Sequence, residues 1–339
     1  MAKSGEPRYA YLEKTFLSVI QSKVIYGIFL YGTASKTNLK LLTGIQSEAQ
    51  RIVLGALRCT QNEHLNIINI MPIKTLIKHQ LAKFTLRVVA NKDNPLRDTL
   101  MDFQAPSNLR GLRYPKPLCQ RIQMLFENLP FHYRDIEAIP YNLKNQTFYD
   151  YASDSLHKFA KDTLTPQNWQ QLHAELIHNY QKASIIYTDG SVNKDKSGCG
   201  IYNINFQIKT RIPDLSTIFT AEVYSIFLAI TYVVNHYQSG VYLILTDSLS
   251  AIFALKAAHN SKHHLVLKIA SLLSNLKNHR IAIQWIPSHM GITGNELADS
   301  LAKDSLNLSY ITQLRFNVSE ADKIITSHYQ KTLLEICQP

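Results

Sequence analysis

The sequence has few cysteines and only a short apolar run near its start. Its four cysteines are far apart among 339 residues, with no Cys-x-x-Cys pair, which argues against both a disulfide framework and a zinc site. The apolar run at residues 24–32 is too short to span a bilayer, and the N-terminus lacks the apolar core of a signal peptide. We therefore expect an intracellular protein, cytoplasmic or nuclear, with no membrane partner.

Acidic residues are also scarce relative to basic ones. The chain has 36 Lys and Arg against 25 Asp and Glu, a net charge of +11, and most of the excess lies in residues 1–140. This balance favours a polyanionic partner such as nucleic acid, although a solvated basic surface would give the same composition. A hydrophobic content of 45% is enough for a sizeable core, and the length predicts about two domains.

Four regions differ in pattern. Residues 1–92 have apolar residues at helical spacing interleaved with Lys and Arg, and repeated prolines then interrupt every pattern up to about residue 145. A helix capped by Thr165, with Pro166 in its first turn, is expected to lead into an alternation of strands and helices. The predicted regions are a basic helical region (1–92), a proline-containing linker with a lead-in helix (93–180), an α/β domain (181–306) and a C-terminal extension (307–339).

The alternation after residue 180 predicts individual strands and helices. Predicted strands are 184–188, 199–206, 207–212, 241–246 and 281–286. Predicted helices are 220–236, 248–258, 264–278 and 294–306.

Two of the predicted strands end in an aspartate. The stretch "IIYTDGSV" places Asp189 after an apolar run, and "VYLILTD" places Asp247 in the same position. A single Asp-Gly pair is typical of a solvated turn. Two such aspartates are different, because α/β sheets bind ligands beyond the carboxyl ends of their strands.

Two further carboxylates lie on predicted helices. Glu222 heads the line of Ile226, Ala229 and Val233, which should face the sheet. A carboxylate in a first helical turn also favours the helix dipole, so Glu222 has a structural explanation as well. Asp299 lies early in the last helix of the domain, where a solvated position is the simpler interpretation.

Four carboxylates that meet at one place repel each other and raise each other's pKa unless cations neutralise them. Convergence would therefore imply metal. Ligands that are all oxygen suit Mg²⁺, with Mn²⁺ as an alternative, and two such ions roughly 4 Å apart are the usual arrangement for displacement at a phosphodiester.

Four sequence blocks resemble the ribonuclease H family in order and spacing. They are "YTDGS" (187–191), "TAEVYSI" (220–226), "LTDSLSAI" (245–252) and "WIPSHMGITGNELADSLAK" (285–303). The last block is especially similar to the ribonuclease H domains of jockey-type non-LTR retrotransposons. The resemblance covers about residues 183–306 and implies a five-stranded mixed sheet flanked by helices, preceded by a mainly helical basic domain.

The resemblance also assigns roles to residues. It places Asp189, Glu222, Asp247 and Asp299 at the family's metal-binding positions, for two Mg²⁺ ions, and His289 at its mobile-loop histidine, although a hydrogen-bonded loop residue would look the same. The implied reaction is endonucleolytic hydrolysis of the RNA strand of an RNA–DNA hybrid, leaving 5′-phosphate and 3′-hydroxyl ends, with no small-molecule cofactor. Hybrid contacts are implied for Gly190, Ser191, Ser248 and Asn295.

One departure from the family concerns the choice of RNA. Where cellular members carry a pair of asparagines upstream of the acidic helix residue, this sequence has Ile218 and Phe219. Backbone groups around Gly190 and Ser191 should then make more of the contact with the 2′-hydroxyl, the group that separates RNA from DNA.

The first half resembles the segment that follows the polymerase palm in jockey-type reverse transcriptases. The similar blocks are "IYGIFLYGT" (25–33), "IQSEAQRIVLGALRCT" (45–60) and "MPI" (71–73). This resemblance implies a thumb and connection that hold template and primer through Lys40, Arg51 and Arg58. Without the family it is a basic helical bundle. Nowhere are two aspartates adjacent, so we expect a C-terminal piece of a retroelement polyprotein, or a truncated product, without polymerase activity.

Two hypotheses from different classes follow. The first is an active metal-dependent ribonuclease. The second is a catalytically retired remnant that binds nucleic acid or serves a structural role. Retention of four mutually repelling carboxylates together with His289 favours the first.

Overall fold

The chain forms two compact units. A computed structural model describes residues 8–67, 70–104, 116–139, 151–158 and 164–337. The first unit comprises residues 1–136 together with 321–339, and the second unit comprises residues 137–320. The predicted 93–180 region contributes residues to both units.

The first unit is helical in the part of the chain that is described. Its helices are α1 (Arg8–Thr15), α2 (Ser22–Ile25), α3 (Ile28–Tyr31), α4 (Lys36–Leu54), α5 (Ile73–Ala90), α6 (Pro95–Met101) and α7 (Leu118–Phe126). A π-helical turn (Phe16–Gln21) joins α1 to α2, and 3₁₀ turns lie at Asn62–Ile67 and Tyr133–Asp135. Helix α13 (Val318–Cys337) belongs to this unit from Ala321 onward. Small apolar clusters, such as Ile28 with Ile73 and Leu76, form its core.

The prolines that predicted an irregular segment instead precede or open two helices. Pro95 lies in the first turn of α6, and Pro117 is the residue before α7. A proline is compatible with these positions because the first helical N–H groups have no partner within the helix. Leu100 and Ile122 are fully buried, so apolar burial stabilises both helices. The prediction of irregular structure was wrong here, and residues 105–115 and 140–150 lie outside the described residues.

The second unit contains one sheet and its flanking helices. The strands are β1 (Ala152–Ser153), β2 (Ser184–Asn193), β3 (Lys196–Asn203), β4 (Phe206–Ile212), β5 (Gly240–Thr246) and β6 (His279–Trp285). The helices are α8 (Pro166–Asn179), α9 (Ile218–His236), α10 (Leu249–Lys256), α11 (His264–Asn275) and α12 (Thr293–Ser305), with 3₁₀ turns at Ser155–Lys158 and Ala258–Asn260. The first residues of α13 complete it.

The sheet is mixed, with strand order β1-β6-β5-β2-β3-β4. Strands β1, β6, β5 and β2 are parallel, whereas β2-β3 and β3-β4 are antiparallel hairpin pairs. The expected fold class, a mixed sheet flanked by helices and preceded by a helical region, is therefore confirmed. All five predicted strands are present, and the two-residue strand β1 adds a sixth that is too short to leave a periodic pattern.

The helices of the second unit follow their local sequence signals. Thr165 caps α8 by accepting a hydrogen bond from the N–H of Asn168, and Pro166 opens the helix, as predicted. Helix α9 is long and apolar enough to cross a membrane by length and composition alone. Its buried residues, including Ile226, Ala229 and Val233, pack in the main core of this unit.

Candidate active site

Asp189 and Asp247 are brought together by the register of two parallel strands. Thr188 of β2 is paired with Thr246 of β5. Asp189 directly follows Thr188, and Asp247 directly follows Thr246. Strand β5 ends at Thr246, whereas β2 continues to Asn193. Both carboxylates therefore lie where β5 ends, which is the position expected for ligand binding in a sheet of this kind.

Glu222 reaches the same place because α9 approaches β2 very closely. A Cβ atom added at Gly190 would lie only 2.6 Å from the backbone nitrogen of Glu222. Only glycine permits this contact between strand and helix. Glu222 is buried, at 8% exposure, as its position on the sheet-facing line of α9 predicted.

Asp299 lies on α12, and this helix packs directly on β3. A Cβ atom at Gly200 would meet the carbonyl oxygen of Ala298 at 2.3 Å and the backbone nitrogen of Ala302 at 2.4 Å. Gly200 is the β3 residue paired with Asp189. The absence of a side chain at Gly200 therefore lets the turn of α12 that carries Asp299 pack beside Asp189.

The carboxylates form one cluster with strong mutual effects. Ligand oxygens of Asp189, Glu222 and Asp247 all lie within 4.8 Å of one another. Burial, followed by the charges of Asp247 and Asp299, raises the pKa of Asp189 to about 8, and a hydrogen bond with Asp299 acts in the same direction. Burial and the charge of Asp189 also raise the pKa of Glu222 well above its usual value.

The donor set fits a hard divalent cation. Oε2 of Glu222 is buried and has no hydrogen-bond partner among the described residues, and it belongs to the cluster of three carboxylates. A buried carboxylate oxygen without a donor is costly unless a cation binds it. Oxygen ligands of this kind suit Mg²⁺ or Mn²⁺.

Neighbouring groups orient Asp247. The side-chain amide of Asn295 donates a 3.0 Å hydrogen bond to Oδ2 of Asp247, and Nε1 of Trp285 donates to its backbone oxygen at 3.1 Å. Burial raises the pKa of Asp247, while the Asn295 hydrogen bond and the charge of His289 lower it. Asn295, predicted to contact nucleic acid, thus orients a carboxylate of the cluster in this structure.

His289 lies at the edge of the cluster on an exposed turn between β6 and α12. Its φ of 59° is in the left-handed region, which non-glycine residues adopt infrequently. Its charge acts on Asp247, and its side chain is exposed to solvent. Such a position suits a group that exchanges protons with a bound molecule.

The remaining residues predicted near the cluster differ in accessibility. The N–H of Gly190 donates to Oδ1 of its neighbour Asp189 at 2.9 Å. Ser191 is half-buried on β2, and Ser248 is buried as the N-cap of α10, where it accepts from the N–H of Ala251. Ser191 is therefore the more accessible of the two serines.

The three basic residues predicted to bind nucleic acid lie in the first unit and differ in environment. Lys40 is exposed on α4, and the side chain of Arg58 is 94% exposed. Arg51, in contrast, donates hydrogen bonds to the backbone oxygen of Thr60 at 3.0 Å and to Oδ1 of Asn62 at 2.8 Å. Its guanidinium therefore stabilises the segment that follows α4.

Two residues near the site were missed from the sequence. Nζ of Lys303 lies 2.6 Å from Oδ2 of Asp299, and the i, i+4 spacing on one helix is a signal that could have identified this pair. Gln170 of α8 donates to the backbone oxygen of Gly291 at 3.1 Å, close to His289. No local pattern connects a glutamine to a loop about 120 residues later.

A family comparison matches the part of the chain that carries the four carboxylates. The family model described as RNase H matches residues 181–307. Among solved structures, the chain is similar to the foamy viral protease-reverse transcriptase in complex with dsDNA, at 26% sequence identity and a TM-score of 0.33. That similarity covers 37% of this chain and 95% of the other.

Proposed function

We propose that the RNase H domain at residues 181–307 hydrolyses the RNA strand of RNA–DNA hybrids. The observation that carries this proposal is the cluster of Asp189, Glu222 and Asp247, joined by Asp299, in a domain that matches the RNase H family model. Carboxylates from four separate elements meet at the end of a parallel strand, and burial leaves them mutually destabilising without a cation. A purely structural role gives no reason for this arrangement.

The four carboxylates would hold divalent cations, with Mg²⁺ as the proposed ion. When bound, such ions activate a water for attack on the phosphorus and stabilise the leaving oxygen. Asp189 and Asp247, whose backbones are placed side by side by strand register, would supply two of the ligands. Glu222 would contribute its buried Oε2, which has no hydrogen-bond partner among the described residues.

Other residues of the chain would orient the carboxylates and transfer protons. Asn295 keeps Oδ2 of Asp247 in place through its amide N–H, which preserves the geometry of a ligand that would otherwise rotate. His289, exposed near Asp247, would donate a proton from a ring nitrogen to the leaving 3′-oxygen, which then departs as a hydroxyl. Lys303 neutralises part of the charge on Asp299.

Few side chains would distinguish the RNA strand from a DNA strand. Ile218 is exposed at the start of α9 and offers no hydrogen bond, and Phe219 lies edge-on to His263 with ring centroids 5.2 Å apart. Contacts to the 2′-hydroxyl would fall to the half-buried Ser191 and to backbone groups beside it. We therefore expect looser discrimination than two asparagines at these positions would give.

We further propose that the chain is part of a retroelement reverse transcriptase of the jockey type. Support comes from the sequence blocks in both halves and from the helical first unit, which exposes Lys40 and Arg58. These two residues would contact the phosphate backbone of the hybrid, whereas Arg51 would act through the fold.

A substrate panel tests the proposal. The full chain is incubated in Mg²⁺ with an end-labelled RNA–DNA hybrid, duplex RNA, duplex DNA and single-stranded RNA of one sequence. We expect internal cuts in the RNA strand of the hybrid, with slower cleavage of duplex RNA. Cleavage of single-stranded RNA at the rate of the hybrid would contradict the proposal, because it would show no recognition of the paired DNA strand.

A further inference from the structure

Glu320 is a buried carboxylate that lies outside the segment matched by the family model. It is in the first turn of α13, belongs to the second unit and is 3% exposed. Its Oε1 accepts hydrogen bonds from the backbone N–H of Thr217 at 2.8 Å and from the hydroxyl of Thr217 at 2.9 Å. The hydroxyl of Thr220 donates to the same oxygen at 2.5 Å.

These contacts secure the N-terminus of α9. Thr217 is the N-cap of this helix, and its side chain also accepts from the N–H of Thr220. A carboxylate is favourable at this end because it meets unpaired N–H groups and the positive end of the helix dipole. Hydrogen bonds to an ionised acceptor are also the stronger kind. Glu320 thus completes the cap from a distant part of the chain.

The second oxygen of Glu320 is held by its own segment. Oε2 accepts from the backbone N–H of Asn317 at 3.1 Å, and the side chain of Asn317 donates to the backbone oxygen of Lys262 at 3.1 Å. The hydroxyl of Thr220, which donates to Glu320, lies 3.2 Å from Nε2 of His263. The Glu320 carboxylate is therefore held both by the start of α9 and by the segment around Asn317.

The same helix carries Glu222, two residues after Thr220. The position of α9 relative to β2 is restricted by the close approach of Gly190 to the backbone of Glu222. The position of its N-terminus is restricted by the hydrogen bonds to Glu320. One restraint acts at Ala221 and Glu222 and the other acts one turn earlier, at Thr217 and Thr220. Loss of the second restraint would free the first turn of the helix, and with it the Glu222 carboxyl group, to move relative to Asp189 and Asp247.

We propose that Glu320 is a positioning residue that sets the place of Glu222 in the carboxylate cluster through the N-terminus of α9. This inference rests on the proposed function, since it concerns the geometry of that site. The catalytic unit would then extend beyond residues 181–307 and include the start of α13. Glu320 itself touches neither Glu222 nor the other carboxylates in the contacts of the described residues.

The test compares three variants of the full chain. Glu320→Ala removes the acceptor, Glu320→Gln keeps one carbonyl oxygen for the three donors, and Asn317→Ala is the matched control. Asn317 is similarly buried, at 2% exposure, and lies in the same segment. Its replacement by alanine keeps the backbone N–H that donates to Oε2 of Glu320 and removes only side-chain bonds to Lys262 and Ser319. Each is measured for kcat and KM on the labelled hybrid, for the Mg²⁺ concentration at half-maximal rate, and for melting temperature in chelator.

We expect Glu320→Ala to lower kcat by about 100-fold relative to Asn317→Ala, the order that a misplacement of about 1 Å produces. KM for the hybrid should stay near the wild-type value, and more Mg²⁺ should be needed. Glu320→Gln should recover most of the rate. Equal kcat in Glu320→Ala and Asn317→Ala at similar melting temperatures would overturn the proposal.

Two further experiments test the proposal if a variant does not fold or the wild-type protein does not cleave the hybrid. If Glu320→Ala does not fold, Thr220→Val removes one of the donors while keeping the side-chain shape, and an unchanged kcat and Mg²⁺ requirement in that variant would overturn the proposal. If wild-type protein does not cleave the hybrid, the proposed function fails separately. The positioning role of Glu320 is then tested by Mg²⁺ binding, measured by calorimetry. Weaker binding by Glu320→Gln and Glu320→Ala than by Asn317→Ala would support it, and equal binding would overturn it.

Discussion

Asp189 and Asp247 are neighbours across two parallel strands because Thr188 and Thr246, the residues before them, are paired in register. This relationship depends on backbone hydrogen bonding and not on the carboxylates themselves. The sheet therefore holds two like charges together at a position where they repel. The energy for this comes from the apolar core that surrounds the strands.

Replacing Asp189 should separate stability from activity. Above pH 8, where Asp189 is charged in the absence of metal, Asp189→Asn removes one repelling partner, so we expect the melting temperature in chelator to hold or rise. A structural carboxylate would behave in the opposite way, because loss of its hydrogen bonds lowers stability. Differential scanning calorimetry of Asp189→Asn beside Asp195→Asn, an exposed aspartate of the β2–β3 turn, provides the measurement. A clear fall for Asp189→Asn alone would count against a metal-binding cluster.

Stability without metal should depend on pH in a defined direction. The folded-state pKa of Asp189 is raised from 3.8 to about 8. Its contribution to the free energy of unfolding is therefore fully present below about pH 4 and is lost as pH rises through 8. Mg²⁺ should reverse this loss, so the increase in melting temperature caused by Mg²⁺ should grow from pH 6 to pH 8.5. An increase that is constant over this range would disagree with cation binding at Asp189.

His289 should affect the rate and not the binding of the hybrid. We expect His289→Ala to lower kcat by roughly 100-fold, the lower range for loss of a proton-transfer group, with little change in KM. His289→Asn is the control for the backbone, because asparagine tolerates the left-handed φ of 59°. Steady-state kinetics of both variants should show the same loss. Recovery of the rate in His289→Asn would mean that only the turn conformation matters.

The basic residues of the first unit should fall into two groups. Changing Lys40 and Arg58 together to Gln should weaken hybrid binding and reduce the slope of log K against log salt by about 2, because each lost phosphate contact removes about one released counterion. Fluorescence anisotropy at several salt concentrations measures this slope. An unchanged slope would remove both residues from the interface.

Arg51→Gln should behave differently from that pair. Its guanidinium donates to Thr60 and Asn62 within the first unit, so we expect a lower melting temperature and a salt slope close to that of the wild type. A reduced slope at unchanged stability would instead place Arg51 on the nucleic acid.

The positions of the carboxylates were largely predictable because each had a local signal. Asp189 and Asp247 follow apolar runs of strand length, and Glu222 lies on the apolar line of its helix. Asp299 had a weaker signal, since its place in the cluster depends on the contact between α12 and Gly200. That contact joins residues about 100 positions apart.

The features that were not predicted depend on distant contacts or on very short elements. Strand β1 has two residues and is held by pairing with β6. Helices α6 and α7 were hidden by prolines at their starts, Pro95 in the first turn of α6 and Pro117 immediately before α7. Glu320 looks like an ordinary first-turn glutamate in the sequence, and only the fold places it on the N-terminus of α9.

Cleavage of the hybrid by wild-type protein and by Asp189→Asn, each in Mg²⁺ and in chelator, tests the central claim most directly. The account predicts cleavage of the RNA strand only by wild type in Mg²⁺, leaving 5′-phosphate and 3′-hydroxyl ends, and a loss of orders of magnitude in Asp189→Asn because a ligand charge is gone. Wild-type cleavage that persists in chelator, or full activity of Asp189→Asn, would contradict metal-dependent hydrolysis at this cluster. Hybrid binding without any cleavage would instead identify the domain as a nucleic-acid-binding remnant.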